Sequence, residues 1–429
     1  MADRSRPASI IAAIREGRAF AVVDLGTTHA KALVLHKGPA SLWNVVGASV
    51  VPYGRTGRGP EPLLTPAQCQ AATEALQQAA NRSPSLAGRL VSPTECLVAV
   101  PNAHVILSSY RWETNRPHPS KDIDRREQGD LVERARAAAL QDAATHLQRE
   151  FGQASFAWLG FLWCNHSVEG QAVTSLEGFR GKSVAVHLVQ AFALTGTTES
   201  LSAWAEEEGL RSTLVPEPAW ATVLLRKSLP CVLLDGGGLR TDAYIRASDG
   251  QFRRLDLPLG GYHINRWLAL GAGLSPSRAE RIKTAYSARQ LRPSSRAKVG
   301  AIVQRGFASW AKGLSRRLTQ SGVSLPGLWL TSGGHSELPE FEQLPELVAG
   351  ASMAGLDRYP SLARLTADGL CRKVVPGPER LRPCHHAALG LADRCVSLAL
   401  DAQASPRMAR GSSVAAQAGF TVSVDWLAS

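Results

Sequence analysis

The sequence predicts an α/β protein made of two similar halves that face each other across a cleft. Two observations carry this. A hydrophobic strand ending in aspartate, a glycine or threonine turn and a returning strand occur at Phe20–Leu35 and recur at Cys231–Arg246, about two hundred residues on, the mark of an internal duplication. Around these units, amphipathic helical segments alternate with short apolar strands, as in layered sheet-and-helix folds. At 429 residues the chain has room for roughly two or three domains and sizeable cores.

Composition excludes several classes. With 44% hydrophobic and 20% charged residues the chain reads as soluble and globular. No stretch reaches the roughly eighteen apolar residues of a membrane-spanning helix. The N-terminus offers only a brief apolar run before Arg15, too short for a secretory signal. Seven cysteines, an odd set without Cys-x-x-Cys spacing, argue against a disulfide framework or zinc site and for a reducing cytoplasm. Cys384-His385-His386 is a poor metal candidate, because adjacent residues rarely point at one ion. Lys and Arg outnumber Asp and Glu by 48 to 36, and from Arg281 to Ser336 there are ten basic residues and no acidic one. That stretch reads either as a solvated helix face or as a surface for anionic lipid, nucleic acid or an acidic peptide.

In chain order, residues 8–17 form a short helix with Ile10, Ile11 and Ile14 on one face, better packed on the body than laid on a membrane. Phe20–Leu35 is a hairpin whose tip gathers Asp24, Gly26, Thr27, Thr28 and Lys31, the hydroxyl, backbone and cationic groups that a polyphosphate needs. Thr65-Pro66 caps a helix over Ala67–Asn81. Residues 82–95 are a loop and Glu95–Pro101 a buried strand. Residues 103–195 read as a separate unit: a strand at His104–Trp112, an exposed loop over Pro117–Gln128, a helix over Asp130–Phe151, and strands at Ala157–His166 and Ser183–Phe192. Gly181-Lys182-Ser183 imitates the end of a P-loop, but Leu176 replaces the first glycine and a strand follows, so that motif is rejected.

A helix at Thr198–Glu208 precedes Glu217, a carboxylate just before a further helix, favourable there as a negative charge alone. In Cys231–Asp242 four apolar residues run into Asp235, then Gly236, Gly237 and Gly238, then Thr241 and Asp242. By itself this is an ordinary hairpin turn or a phosphate-holding turn with a metal-facing carboxylate. A returning strand at Ala243–Arg246, a strand at Phe252–Leu257 and a helix across His263–Leu270 follow. Ser275-Pro276 caps a helix carrying Glu280 and Lys283, by themselves a surface ion pair. Lys298–Thr319 is a long basic amphipathic helix. After strand Leu328–Thr331 come Ser332, Gly333, Gly334, His335 and Ser336, a turn able to lie flat against a base or ribose. Residues 351–380 carry little pattern. Helix His386–Leu398, a small-residue linker over 402–417 and a strand-like tail at Gly419–Trp426 complete the chain; the tail either docks on the body or is offered to a partner.

Together these segments resemble the actin-like ATPase superfamily. Asp24-Leu-Gly-Thr-Thr matches its first phosphate loop, Asp235-Gly-Gly-Gly-Leu-Arg-Thr-Asp242 its second, and Glu217-Pro-Ala-Trp-Ala its connecting helix. Glu280 with Lys283 matches the ribose- and base-side helix, and Ser332–Ser336 the adenosine loop. The resemblance spans about Arg18 to Leu400 and is greatest to FtsA and its relative PilM, in which a small subdomain interrupts the first half. It implies an actin-like fold of two duplicated halves around a nucleotide cleft, with a small α+β subdomain inserted in the first half. The implied divisions are 18–95 and 196–230 for the first half, 96–195 for the insert, 231–385 for the second half, 386–401 for a helix returning to the first half, and 402–429 for linker and tail.

The resemblance further implies ATP with Mg²⁺ as cofactors. Asp24 and Asp235 would serve the metal, largely through its waters, with Glu217 and Asp24 as catalytic groups. Gly26, Thr27, Thr28, Lys31, Gly236, Gly237, Gly238, Thr241, Glu280, Lys283, Gly333, Gly334 and Ser336 would hold the nucleotide. At most a slow Mg-dependent ATPase is implied. Three roles follow: a polymerising division scaffold like FtsA, a pilus or secretion adaptor like PilM, and a small-molecule kinase, for which no sugar-binding set is evident. The partners implied are further copies of the chain, an acidic-hydrophobic tail peptide of a tubulin-like division protein near Arg289, Arg292, Arg296, Lys298 and Arg305, or a short peptide of a membrane protein. An anionic membrane surface at the inner face of the cell membrane is a further candidate, and nucleic acid drops out. Two departures stand out: Leu239 and Arg240 occupy loop positions where the family has Gly and Thr, and the tail, with Asp425, is unlike the family's basic membrane helix.

Overall fold

The computed structural model describes residues 10–38, 42–53, 65–82, 92–222, 230–349, 360–376, 381–401 and 421–422. In the first half, α1 (Ile10–Glu16) leads to β1 (Phe20–Leu25), β2 (His29–Lys37), β3 (Trp43–Pro52), α2 (Pro66–Arg82) and β4 (Glu95–Val100). The insert comprises β5 (Val105–Asn115), α3 (Arg125–Phe151), β6 (Phe156–Val168), β7 (Gln171–Val173) and β8 (Ser183–Leu194). Next come α4 (Thr195–Glu207) and β9 (Arg211–Pro216). The second half holds β10 (Cys231–Gly236), β11 (Thr241–Arg246), β12 (Phe252–Leu257), α5 (Gly261–Ala272), α6 (Pro276–Ser287), α7 (Pro293–Gln320), β13 (Leu328–Ser332), α8 (Leu344–Ala349) and β14 (Ser361–Arg364). The chain continues through α9 (Ala367–Leu370), β15 (Val374–Val375), α10 (His386–Asp401) and β16 (Thr421–Val422).

The duplication is topological. The first sheet runs β15-β3-β2-β1-β4-β9 and the second β12-β11-β10-β13-β14. Setting β15 aside, the orders are equivalent, with the aspartate strand central, antiparallel to its hairpin partner and parallel to the next strand. Such central strands are covered on both faces, which explains why all six residues of β1 and of β4 are buried. The register sets Asp24 opposite Lys31 and Asp235 opposite Asp242.

A third sheet, β16-β6-β8-β5 with β7 beside β6, forms the insert. On one face lies α3, whose alanines Ala135, Ala139 and Ala143 let the helix approach closely. From the other face Leu159, Leu162, Trp163 and Val189 enter the core of the first half. Trp163 also stacks on Phe252 at 5.7 Å between centroids, and its indole N–H donates to the Gly250 carbonyl at 3.0 Å, tying the insert to the second half.

Several boundaries differ from expectation. The α3 helix starts at Arg125 rather than Asp130, because Asp124 caps it by accepting from the Glu127 amide at 2.7 Å. Proline in its first turn starts α7 at Pro293 instead of Lys298. The returning strand begins at Thr241, two residues before Ala243. The first helix packs inward, with Ile10 and Ile14 buried. Thr65 caps α2 as expected, its hydroxyl accepting from the Gln68 amide at 3.2 Å. Of the tail, Thr421–Val422 pairs parallel with Ala157–Trp158 of β6. The linker 402–417, most of the loop 82–95 and the helix after Thr222 lie outside the described residues. Among the described residues no helix is long and apolar enough to cross a membrane.

Candidate functional site

Hairpins β1–β2 and β10–β11 bring their turns to opposite sides of one cleft of about 810 Å³. Asp24, next to last in β1, is fully buried; Lys31 reaches back from β2 to its Oδ2 at 2.7 Å, leaving Oδ1 without a hydrogen-bond partner. Burial alone would lower the Lys31 pKa, but Asp24 and Glu217 hold it above the ordinary lysine value. The Gly26 carbonyl accepts from the Tyr53 hydroxyl, bracing the first turn from β3.

The second turn closes against the first. The Leu239 amide donates to Thr27 Oγ1 at 3.0 Å, and Gly238 lies so near Thr28 that a Cβ would have no room. Here glycine is needed for close approach. The carbonyls of Gly237 and Gly238 accept from the first amides of α5, Gly261 at 2.9 Å and Tyr262 at 2.7 Å, which ties the turn to the start of that helix. Burial, followed by repulsion from Asp242, pushes the Asp235 carboxyl up to about 7.

Glu217 sits at the end of β9, where its Oε2 accepts from the Asn102 amide at 2.8 Å. Burial and then the charges of Asp24 and Asp235 raise its pKa well above the usual glutamate range. At the opposite end of the cleft, Glu280 pairs with Lys283 at 3.1 Å and accepts from the Asn265 amide group. Lys283 also donates to the Gly261 carbonyl at 3.3 Å, and burial lowers its pKa despite Glu280. Gly333 has φ +79°, and a Cβ there would strike Asp235 and Gly236. Ion pair Arg382–Glu337, at 2.6 Å, lies at the cleft wall beside Gly334.

The cleft therefore gathers Gly26, Thr27, Thr28, Lys31, Glu217, Asp235, Gly236, Gly237, Gly238, Glu280, Lys283, Gly333 and Gly334. Three expected residues stand behind its wall. Asp24 is screened by Lys31. Thr241 donates to the Leu259 carbonyl at 2.8 Å and accepts from the Trp310 indole at 3.0 Å. Ser336 is buried, with its hydroxyl on the Gly333 carbonyl at 2.7 Å. These two hydroxyls brace the turns. Sequence reasoning missed Tyr53, Asn102, Glu337 and Arg382, whose roles depend on distant partners. His385 and His386 face separate partners, the Arg382 amide and the Ser332 hydroxyl.

Three carboxylates, Asp24, Asp235 and Glu217, surround one ammonium, Lys31, and one oxygen of Asp24 is orphaned. That donor set suits a cation. Among the described residues no three His, Cys, Asp or Glu side chains group closely enough to hold a metal ion directly.

Among solved structures, one titled "PilM-PilN type IV pilus biogenesis complex" is similar over 88% of this chain and 98% of that chain, with TM-score 0.57 and 17% identity. The chain has the actin-like ATPase fold. Looser likenesses to this actin-like chain are EutJ from Carboxydothermus hydrogenoformans (TM-score 0.45, 15% identity, 87% and 89% covered) and a MamK double helical filament (0.42, 12%, 89% and 99%). No family model and no curated protein matches the chain.

Proposed function

We propose that the chain binds ATP with Mg²⁺ between its two halves and serves as a PilM-like adaptor that receives a short peptide of a membrane protein. The observation that carries nucleotide binding is the meeting of two equivalent aspartate-ended hairpins at one cleft. Gly26, Thr27 and Thr28 on one side and Gly236, Gly237 and Gly238 on the other would cradle the phosphates. The adenosine would lie between Gly333–Gly334 and the Glu280–Lys283 pair. Asp235 and Glu217, with Asp24 behind Lys31, would hold the hydrated metal. Mg²⁺, when bound, supplies neutralisation of phosphate charge. Glu217 would hold a proton or orient a water at its free oxygen, with turnover at most slow. Titration of labelled ATP in Mg²⁺ tests this: Asp235→Ala and Asp24→Ala are expected to weaken binding by tenfold or more. Unchanged affinity in both variants would sink the reading.

The adaptor role is supported by the extent of the PilM likeness, which covers 88% of this chain and 98% of that chain. A second reading, an FtsA-type division scaffold, draws on a different observation. Trp267 and Leu270 of α5 are 42% and 80% exposed, beside α7 with its exposed Lys298 and Arg305. An apolar pair next to cations suits an acidic-hydrophobic peptide. Electron microscopy with Mg-ATP on anionic lipid monolayers separates the readings: filaments favour the scaffold, and discrete particles at all protein concentrations favour the adaptor.

A further inference from the structure

Arg240 is one of the two residues by which the second turn departs from the actin-like pattern, and its surroundings leave it a task. It lines the cleft beside Gly238 and Leu239. One terminal nitrogen pairs with Asp242 Oδ1 at 2.9 Å and stands 3.7 Å from Asp256, while its Nε is buried with no hydrogen-bond partner. Of the other cations lining the cleft, Lys31 pairs with Asp24, Lys283 with Glu280 and Arg382 with Glu337 through two hydrogen bonds, while Arg281 stands exposed on α6. A guanidinium presents five donors in a planar fork that matches phosphate oxygens.

We infer that Arg240 discriminates a nucleoside triphosphate from a diphosphate by leaving Asp242 for the terminal phosphate; this rests on the nucleotide reading of the cleft. A nucleotide whose base lies toward α6 and Gly333 sets its last phosphate nearest the two hairpin turns. There Arg240 meets a terminal phosphate and finds none in a diphosphate held in the same register. The exchange does not strand Asp242. Its Oδ2 still accepts from the Asn102 side-chain amide at 3.2 Å, and Arg254 remains 4.0 Å away.

The movement lands on a buried junction. The Asn102 backbone amide holds Glu217, and its side chain also donates to the Tyr244 hydroxyl at 2.7 Å. Arg254 joins the Asn102 side-chain oxygen at 3.2 Å to the Val105 carbonyl at 2.9 Å, where β5 of the insert begins. Loss of Arg240 from Asp242 therefore reaches the root of the inserted subdomain through two hydrogen-bonded residues.

The test compares a non-hydrolysable ATP analogue with ADP, both in Mg²⁺, on wild type, Arg240→Gln and Arg240→Lys. Wild type is expected to prefer the triphosphate by about tenfold to a hundredfold, the range of charge-assisted hydrogen bonding. Gln removes that preference and leaves ADP affinity within about twofold, and Lys retains part of it. Hydrogen exchange over 105–115 differs between the two nucleotides in wild type and not in Arg240→Gln. Equal weakening of both nucleotides, or a preference untouched by either substitution, overturns the inference and leaves the nucleotide site standing. Wild type that binds neither nucleotide removes the site and this inference together. If thermal melts show Arg240→Gln unfolded, the Lys variant decides: full wild-type preference there, without the fork, overturns the inference.

Discussion

Asp235 titrates near 3.8 as an ordinary aspartate, whereas burial and Asp242 lift it to about 7 in the fold. Between those values the folded protein keeps a proton that the unfolded chain has released. This group's contribution is therefore greatest in acid and is lost as pH rises from about 4 to 7. Glu217, raised by burial and by Asp24 and Asp235, acts in the same direction. In melts without nucleotide, the melting temperature of wild type relative to Asp235→Asn is expected to fall across that window. A constant difference would refute the assignment. Strand-end position and glycine turns made Asp24 and Asp235 legible in the sequence, whereas Glu217 and Glu280 were legible only through the family resemblance. Asn102 was not, because its partner Glu217 lies 115 residues away. Nor does a sequence tell which way a hydroxyl faces: Thr241 and Ser336 look like phosphate and ribose ligands, and the fold turns both toward its own carbonyls.

Elements with strong periodicity or a cap were legible; those made only by their neighbours were not. Both aspartate hairpins, β12 and β13 follow from apolar runs bounded by glycine, proline or charge. Strand β9 is not legible because its first half, Arg211-Ser-Thr, is not apolar; its pairing with β4 makes it a strand. The two-residue β15 exists only because β3 offers it an edge. Helices begin earlier than their apolar stripe where a capping side chain or proline lies upstream of it, as at Asp124 and Pro293. The basic stretch resolves into exposed Arg289, Arg292, Lys298 and Arg305 with Arg296 half-buried, so most of that charge is available to an anionic partner.

At the scale of the whole molecule, the repeated hairpin foretold two sheets of one strand order. The aromatic join between insert and second half was not foretold, since Trp163 and Phe252 belong to strands that read as unrelated. The three cores also differ in continuity. The core of the second half is drawn from residues 232–348 and that of the insert from 123–192, but the core of the first half spans Ile10 to Ala399. During synthesis this imposes an order. Strand β4 leaves the ribosome about 300 residues before α10 is complete, a delay on the order of 15–60 s at typical bacterial and eukaryotic elongation rates. Over that interval the first sheet lacks its last covering helix, while the insert and then the second half already have all their own residues. Ribosome-bound chains stopped at residue 385 are expected to be cut by protease in the first sheet and to resist in the second half; equal resistance in both would show that the closing helix is dispensable. A nascent chain of this kind spends its longest exposed interval with its first-made strands still waiting, which makes them the natural client of a chaperone at the exit tunnel.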